Sequence, residues 1–536
     1  MVGVLAATPL PHGAVVQEPT PKLVVVLSVD QMRPDYLSRF GPLLTESFVR
    51  LMQEGTLFTE AYHDHGITST APGHATISTG VFPRRNGIVS NDWWDRESHG
   101  AVYAVEDPSV EILGSPESPG RSPVSLLRET VGDWLKQQSP DSKVFSVALK
   151  DRASILMGGQ RPDGAYWFDD ETGWFVTSTY YREKLPRWAR DFNKAGQADS
   201  YFHEVWDRVL AEEMYSPSRE DSFPPESDGI DVTFPHVFRT GSDEPDPIYY
   251  DELRRTPFGD ELAFAFLEQL IVHERIGSDA TVDLLFVGAG SGDYIGHRYG
   301  PFSQEMQDYY IRFDRLLAGF LEFLDEQVGA GNYYLVLTSD HGVLPMPEEL
   351  ARRGVDSRRI DATYTQDLII TPLARSLRDL SIDATPRLAL LYGLVMSFPE
   401  GTVSEETQTK LRRLVAERIR ESEFVADAYA RDDAQPTTDD AFRQLHWRSF
   451  RADRASDVII RYKRNYLQRS EPGGTNHESP YDYDRHVPLI FWGPGITGAW
   501  YDREVRTVDI APTVAALLGI TPPDDLDGTR LVEIVP

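Results

Sequence analysis

A chain of 536 residues, 40% hydrophobic and 26% charged, can bury a large core, and it holds no apolar run of the roughly 18 to 20 residues needed to span a bilayer. Its formal net charge of -31 excludes general binding to nucleic-acid duplexes, whose phosphate backbone selects basic surfaces. The absence of cysteine excludes disulfides, thiolate metal sites, a cysteine nucleophile and a cysteine-derived formylglycine.

Residues 1–21 are apolar and then proline-rich, with no Lys or Arg before Lys22, and read as an N-terminal tail or the remnant of a secretion signal. Residues 23–29, LVVVLSV, form a β-rich run of the kind buried on both faces of a parallel sheet, with Asp30 at its carboxyl end. The stretch GITSTAPGHATISTG at 66–80 places a run of hydroxyls before a Pro-Gly turn and a short helix. Thr70 there is a candidate nucleophile at a helix N-terminus, and equally a plain helix cap; His74, four residues on, reads as structural.

A helix is predicted over 123–138, and a strand, VFSVAL, precedes Lys150 and Arg152. From about 160 to 255 the texture turns aromatic, proline-rich and acidic, with a hairpin around Asp170 to Gly173; this reads as an insertion over the active face. Helices are predicted over 259–275 and 304–327. The runs VDLLFVGAG and YYLVLTS are two further strands, the first ending before Ser291 and Asp293, the second before Asp340. A second insertion, from about 343 to 455, carries a helix over 405–421. A strand at 486–493 and a helix near 509–519 return the chain to the core.

Strands alternating with helices imply an α/β domain over 22–536, a mainly parallel central sheet flanked by helices on both faces. Ligands bind beyond the carboxyl ends of such strands, so Asp30, Asp293 and Asp340 could converge. His297 follows Asp293 by four residues, one face of a helix, and His341 follows Asp340 directly. Asp and His together suit zinc or a similar divalent ion. Each pair alone is also the composition of an ordinary turn or cap.

The segments VVVLSVDQMRPDYL, TSTAPGHATISTGVFPRRNGIVSNDWWD, VALKDRASILMGG, SGDYIGHRYGP, LTSDHG and GGTNHESPYDYDRHVPLIFWGPG occur in this order. Together they resemble the alkaline phosphatase superfamily, in the branch shared by nucleotide pyrophosphatase/phosphodiesterases and PafA-type alkaline phosphatases. The resemblance implies the alkaline phosphatase-like fold with cap insertions and two zinc ions per chain. It implies that Asp30, Asp340 and His341 bind one ion, with the Thr70 oxygen, and that Asp293, His297 and His477 bind the other. Spacing alone cannot choose between His477 and His486; the TNHESPYDYD motif selects His477. Glu478 stands where Gly is more usual in the family.

By the same resemblance Asn91 donates to a nonbridging phosphoryl oxygen, and Lys150 and Arg152 face the transferred group. Two cations match a dianionic phosphate monoester, so the expectation is a monomeric phosphomonoesterase acting on small-molecule phosphate monoesters through phospho-Thr70, exported to the periplasm or secreted. A phosphodiesterase of the same superfamily is the alternative. A catalytically inactive binding protein that keeps the fold is a more distant one.

Overall fold

The computed structural model describes residues 21–226, 232–238, 240–360, 364, 366–436, 439–469 and 473–535. Residues 1–20 of the expected tail, and 227–231, 239, 361–363, 365, 437 and 438 within the two expected insertions, lie outside the described residues.

The centre is a ten-stranded sheet of β1 (Leu23–Val29), β2 (Thr56–Tyr62), β3 (Ile112–Leu113), β4 (Val144–Ala148), β5 (Gly164–Asp169), β6 (Trp174–Ser178), β7 (Asp283–Ala289), β8 (Tyr333–Thr338), β9 (His486–Trp492) and β10 (Ala499–Arg506). Their spatial order is β10-β2-β9-β8-β1-β7-β4-β5-β6-β3. The run β8-β1-β7-β4-β5 is parallel throughout. β9 is antiparallel to both its neighbours, and β6 and β3 close the other side antiparallel, so the sheet is mixed but mostly parallel. Every residue of β1 and β7 is buried, which is why these strands read as unbroken apolar runs rather than alternating ones.

Successive side chains of β1 enter opposite cores. Leu23, Val25, Leu27 and Val29 pack in a cluster with the helices Pro257–Glu274 and Gln304–Leu324. Val24 and Val26 pack in a second cluster with the helices Val131–Gln138 and Ile510–Leu517. The sheet is therefore sandwiched between helical layers, as the alternation of elements predicts.

The helix expected over 123–138 starts only at Val131. Thr130 and Asp133 form a reciprocal capping box there, and Val124 and Leu127 upstream are 60% and 46% exposed. The local cap outweighs the apolar spacing before it. Residues 164–178, inside the stretch expected as the first insertion, form two strands of the central sheet, with Gly173 in the left-handed conformation at their turn.

A separate four-stranded antiparallel sheet of Arg387–Leu390, Leu394–Ser397, Val425–Ala430 and Val458–Tyr462 packs the helix Glu405–Arg420 in a core of its own, around Leu394, Met396, Leu411, Val415 and Ile460. Among the described residues no helix is long and apolar enough to cross a membrane.

Candidate active site at the carboxyl ends of the sheet

Val29 of β1 is level with Ala289 of β7, and Ser28 with Thr338 of β8, so the chain leaves all three strands at one height. That register brings Asp30, Asp293 and Asp340 together across more than 300 residues of sequence. Asp293 and His297 lie one turn apart on the helix Ser291–Tyr299, with Oδ1 and Nε2 3.2 Å apart. His477 Nε2 is 3.7 Å from the same oxygen. On the other side, His341 Nε2 is 3.3 Å from Asp340 Oδ2 and 3.6 Å from Asp30 Oδ1. Within each triad the three candidate ligand atoms lie within 4.8 Å of one another.

The three imidazoles share one arrangement. Nδ1 donates to a backbone carbonyl in each: His297 to Thr475 at 2.8 Å, His341 to Gly342 at 3.0 Å and His477 to Thr68 at 2.7 Å. This fixes the tautomer and leaves every Nε2 with its lone pair turned into the triad. Asp30 Oδ1, Asp340 Oδ2 and His341 Nε2 are buried without a hydrogen-bond partner. Buried polar atoms are seldom left so, and a divalent ion of the zinc type would satisfy all three. His486 sits apart from both triads, with its ring stacked on Tyr62 at 4.6 Å and Nε2 donating to the Thr59 carbonyl.

The electrostatics fit the same use. Burial pushes Asp340 up to about 6, and burial together with the Asp340 charge pushes Asp30 well above the usual carboxylate range. Burial also acts to raise Asp293, but His297 and Lys150 outweigh it and hold that carboxyl well below. Burial drives His341 down to about 3 and His477 well below its ordinary value, so both rings are neutral, the form that ligates.

Lys150 lies between the triads. Its Nζ is 2.7 Å from Asp30 Oδ2 and 2.5 Å from Asp293 Oδ2. Burial works against its charge, but Asp293 and Asp30 more than offset that and raise its pKa. Arg152, two residues on at the start of the helix Asp151–Gly158, reaches Thr70 Oγ1 with Nη2 at 3.5 Å. Its Nη1 donates to Tyr103 Oη at 3.2 Å, and that hydroxyl donates to Asp151 Oδ1 at 2.5 Å.

Thr70 is the first residue of the ten-residue helix Thr70–Thr79, buried, after an extended Ser69. Helix N-termini favour anions there. The helix can approach the end of β8 only because residue 73 is glycine: a Cβ there would lie 2.3 Å from the Asp340 carbonyl oxygen. Asn91 Oδ1 accepts from the Ala71 N–H at 2.8 Å, which settles the orientation of the amide and leaves Nδ2 as the donor end for a ligand. His74 donates through Nδ1 to the Thr70 carbonyl at 2.8 Å, the structural use its position suggested.

Sequence reasoning missed three contributors. Gln31 joins the triads, its Nε2 donating to Asp293 Oδ1 at 2.6 Å and its N–H to Asp340 Oδ1 at 3.2 Å. Adjacency to Asp30 was its only signal. Tyr103 orients Arg152, and Tyr392, between the strands Arg387–Leu390 and Leu394–Ser397, lies beside Ser69, Asn91 and Glu478; neither had any local signal. Glu478 is held in left-handed backbone (φ 91°), and burial raises its carboxyl to about 7.

A family model described as type I phosphodiesterase / nucleotide pyrophosphatase matches residues 24–482. The chain is 34% identical to alkaline phosphatase PhoV of Synechococcus elongatus, over 96% of this chain and 93% of that protein. It is also 34% identical to alkaline phosphatase PafA of Elizabethkingia meningoseptica, over 96% and 95%. The crystal structure of wild-type alkaline phosphatase PafA superposes with a TM-score of 0.87 at 32% identity, covering 97% of this chain and 99% of that one.

Proposed function

The chain belongs to the type I phosphodiesterase/nucleotide pyrophosphatase family, in the alkaline phosphatase superfamily, and on that footing we propose that it is a phosphomonoesterase working through phospho-Thr70 with two zinc ions. The observation that carries the reading is the Arg152 guanidinium set against Thr70 Oγ1, beside two triads of Asp and His.

Asp30, Asp340 and His341 would hold one ion, and Asp293, His297 and His477 the other. When bound, the pair would supply Lewis acidity to the attacking and leaving oxygens. The remaining work falls to the chain. Thr70 Oγ1 gives up its hydroxyl proton to solvent and attacks phosphorus in line; its bond to phosphorus forms as the bond to the departing alcohol breaks, and the alcohol takes a proton from solvent. Arg152 and Asn91 Nδ2 donate to nonbridging oxygens, and Lys150 adds a second positive charge. Water then attacks phosphorus as the bond to Thr70 Oγ1 breaks; one proton of the water passes through solvent to Thr70, restoring its hydroxyl, and inorganic phosphate is released.

Two cations match the two negative charges of a monoester, whereas a diester carries one. The test is paired kinetics on an aryl phosphate and its methyl diester with added zinc, with acid-quench mass spectrometry of the protein. Faster monoester turnover and phosphate on Thr70 are expected. Faster diester turnover, or phosphate on another residue, overturns the reading. We further propose a periplasmic or secreted location, checked by N-terminal sequencing of protein recovered outside the cytoplasm.

A further inference from the structure

A cavity of about 330 Å³ opens beside the second triad, with His477, Glu478, Asp92 and Tyr392 in its wall. Tyr392 comes from the separate four-stranded sheet, at the tip of the hairpin between Arg387–Leu390 and Leu394–Ser397. The tip is tightly built: Tyr392 is left-handed (φ 54°), and a Cβ on Gly393 would lie 2.4 Å from the Val458 carbonyl oxygen. Glu478 faces it, also left-handed, with its N–H held by the Thr68 carbonyl at 3.1 Å. Two non-glycine residues in this uncommon conformation thus turn their side chains toward one another beside the reaction centre.

Charge decides what the space would take. Lys150 lies between Asp30 and Asp293, where in the proposed reaction it serves the transferred phosphoryl group. Arg152 is committed to Tyr103 and Thr70, on the side of Asp92. Arg461, also in the cavity wall, lies over the Phe442 ring at 4.4 Å and donates to Tyr481 Oη at 3.5 Å. Among the described residues no Lys or Arg pairs with Glu478; the groups facing it are His297, Tyr392, Asp92 and Asp293. A half-buried carboxylate without a cation favours a ligand that brings one, and a tyrosine ring beside it adds cation–π attraction.

We propose that Glu478, with Asp92 and the Tyr392 ring, forms a leaving-group subsite selecting phosphate monoesters of amino alcohols, whose ammonium lies a few bonds from the ester oxygen. This rests on the phosphomonoesterase reading, in which the departing alcohol leaves on the side of Asp293, His297 and His477. Esters with an anionic tail are rejected by the same two carboxylates.

The test compares kcat/KM for 2-aminoethyl phosphate, n-propyl phosphate and phosphoglycolate on the zinc-loaded enzyme and on Glu478→Gln and Asp92→Asn. The wild type should favour the aminoethyl ester over the propyl ester at least tenfold and turn over phosphoglycolate slowest. Glu478→Gln should bring the first ratio to about threefold or less while propyl ester turnover stays within about threefold of wild type. No wild-type preference, or a ratio that survives in both variants, overturns the subsite. Calorimetric binding of the aminoethyl and propyl esters to zinc-loaded Thr70→Ala separates the two ideas. Tighter aminoethyl binding to Thr70→Ala, alongside a wild type that hydrolyses none of the esters, retains the subsite and refutes the phosphatase; equal binding to Thr70→Ala refutes the subsite alone.

Discussion

Replacing Lys150 by Met should weaken the metal-free protein and tighten its hold on zinc. The Nζ of Lys150 lies 2.7 Å from Asp30 and 2.5 Å from Asp293, one carboxylate from each triad, all of them buried. Removing one partner from such a group leaves uncompensated charge in a low-dielectric interior, at a cost of about 3–5 kcal/mol. Bound cations would neutralise the same carboxylates, so the loss in the zinc-loaded protein should be much smaller. The thermodynamic cycle then closes only if the difference appears as metal affinity. At about 1.4 kcal/mol per tenfold, that is a gain of roughly two to three orders of magnitude. Denaturant unfolding in EDTA and in excess zinc measures the two stabilities, and chelator competition measures the affinity. Equal destabilisation under both conditions, with unchanged zinc affinity, would refute the idea that Lys150 and the metals share these carboxylates.

Arg152→Ala should lower kcat/KM for an aryl monoester by about 10²–10³, and for the methyl diester distinctly less, because the lost charge faces the extra nonbridging negative charge; equal losses contradict its role. Asn91→Ala should cost about 1 kcal/mol of stability by stripping the Ala71 N–H of its acceptor, besides slowing turnover. Asn91→Asp should recover the stability and not the activity, since the carboxylate accepts but cannot donate. His63, buried between the Ser339 carbonyl and the Thr507 hydroxyl, is pushed down to about 3 by burial. Its folded value lies below the unfolded value, so its contribution is complete above about pH 6.5 and is lost as pH falls toward 3. Between pH 7.5 and 5 that loss is about 2 kcal/mol, and His63→Gln should remove this share of the acid sensitivity of the EDTA-treated protein, read from denaturant midpoints.

The candidate ligands are legible in the sequence because parallel register does the assembling. Once β1, β7 and β8 are recognised as apolar runs ending in Asp30, Asp293 and Asp340, the fold leaves those carboxylates little choice but to meet. His297 follows from helical spacing and His341 from adjacency. His477 is different: it arrives on a loop, and only the motif around it distinguished it from His486. The strand expected over 486–493 already held His486, but its pairing beside β2, away from both triads, is not exposed by spacing. Lys150 was legible as a cation after a strand, but its pairing with both triads depends on side-chain reach, which pattern does not encode.

What stayed dark has a common cause. Tyr103 comes from the hairpin of Asp92–Asp95 and Gly100–Tyr103, and Tyr392 from a sheet with its own core, so each reaches the site by tertiary packing rather than by sequence neighbourhood. The site thus has two physical origins. The phosphoryl half, with Thr70, Asn91, Arg152 and the triads, hangs largely from the central sheet and from the helices and loops that leave its carboxyl edge, and any loss of register there would disturb all of it at once. The leaving-group half, with Tyr392 set against Glu478, joins that frame to a sheet held by contacts of its own. Changes at the hairpin tip can therefore alter which alcohol is accepted while the atoms that act on phosphorus stay where the sheet puts them.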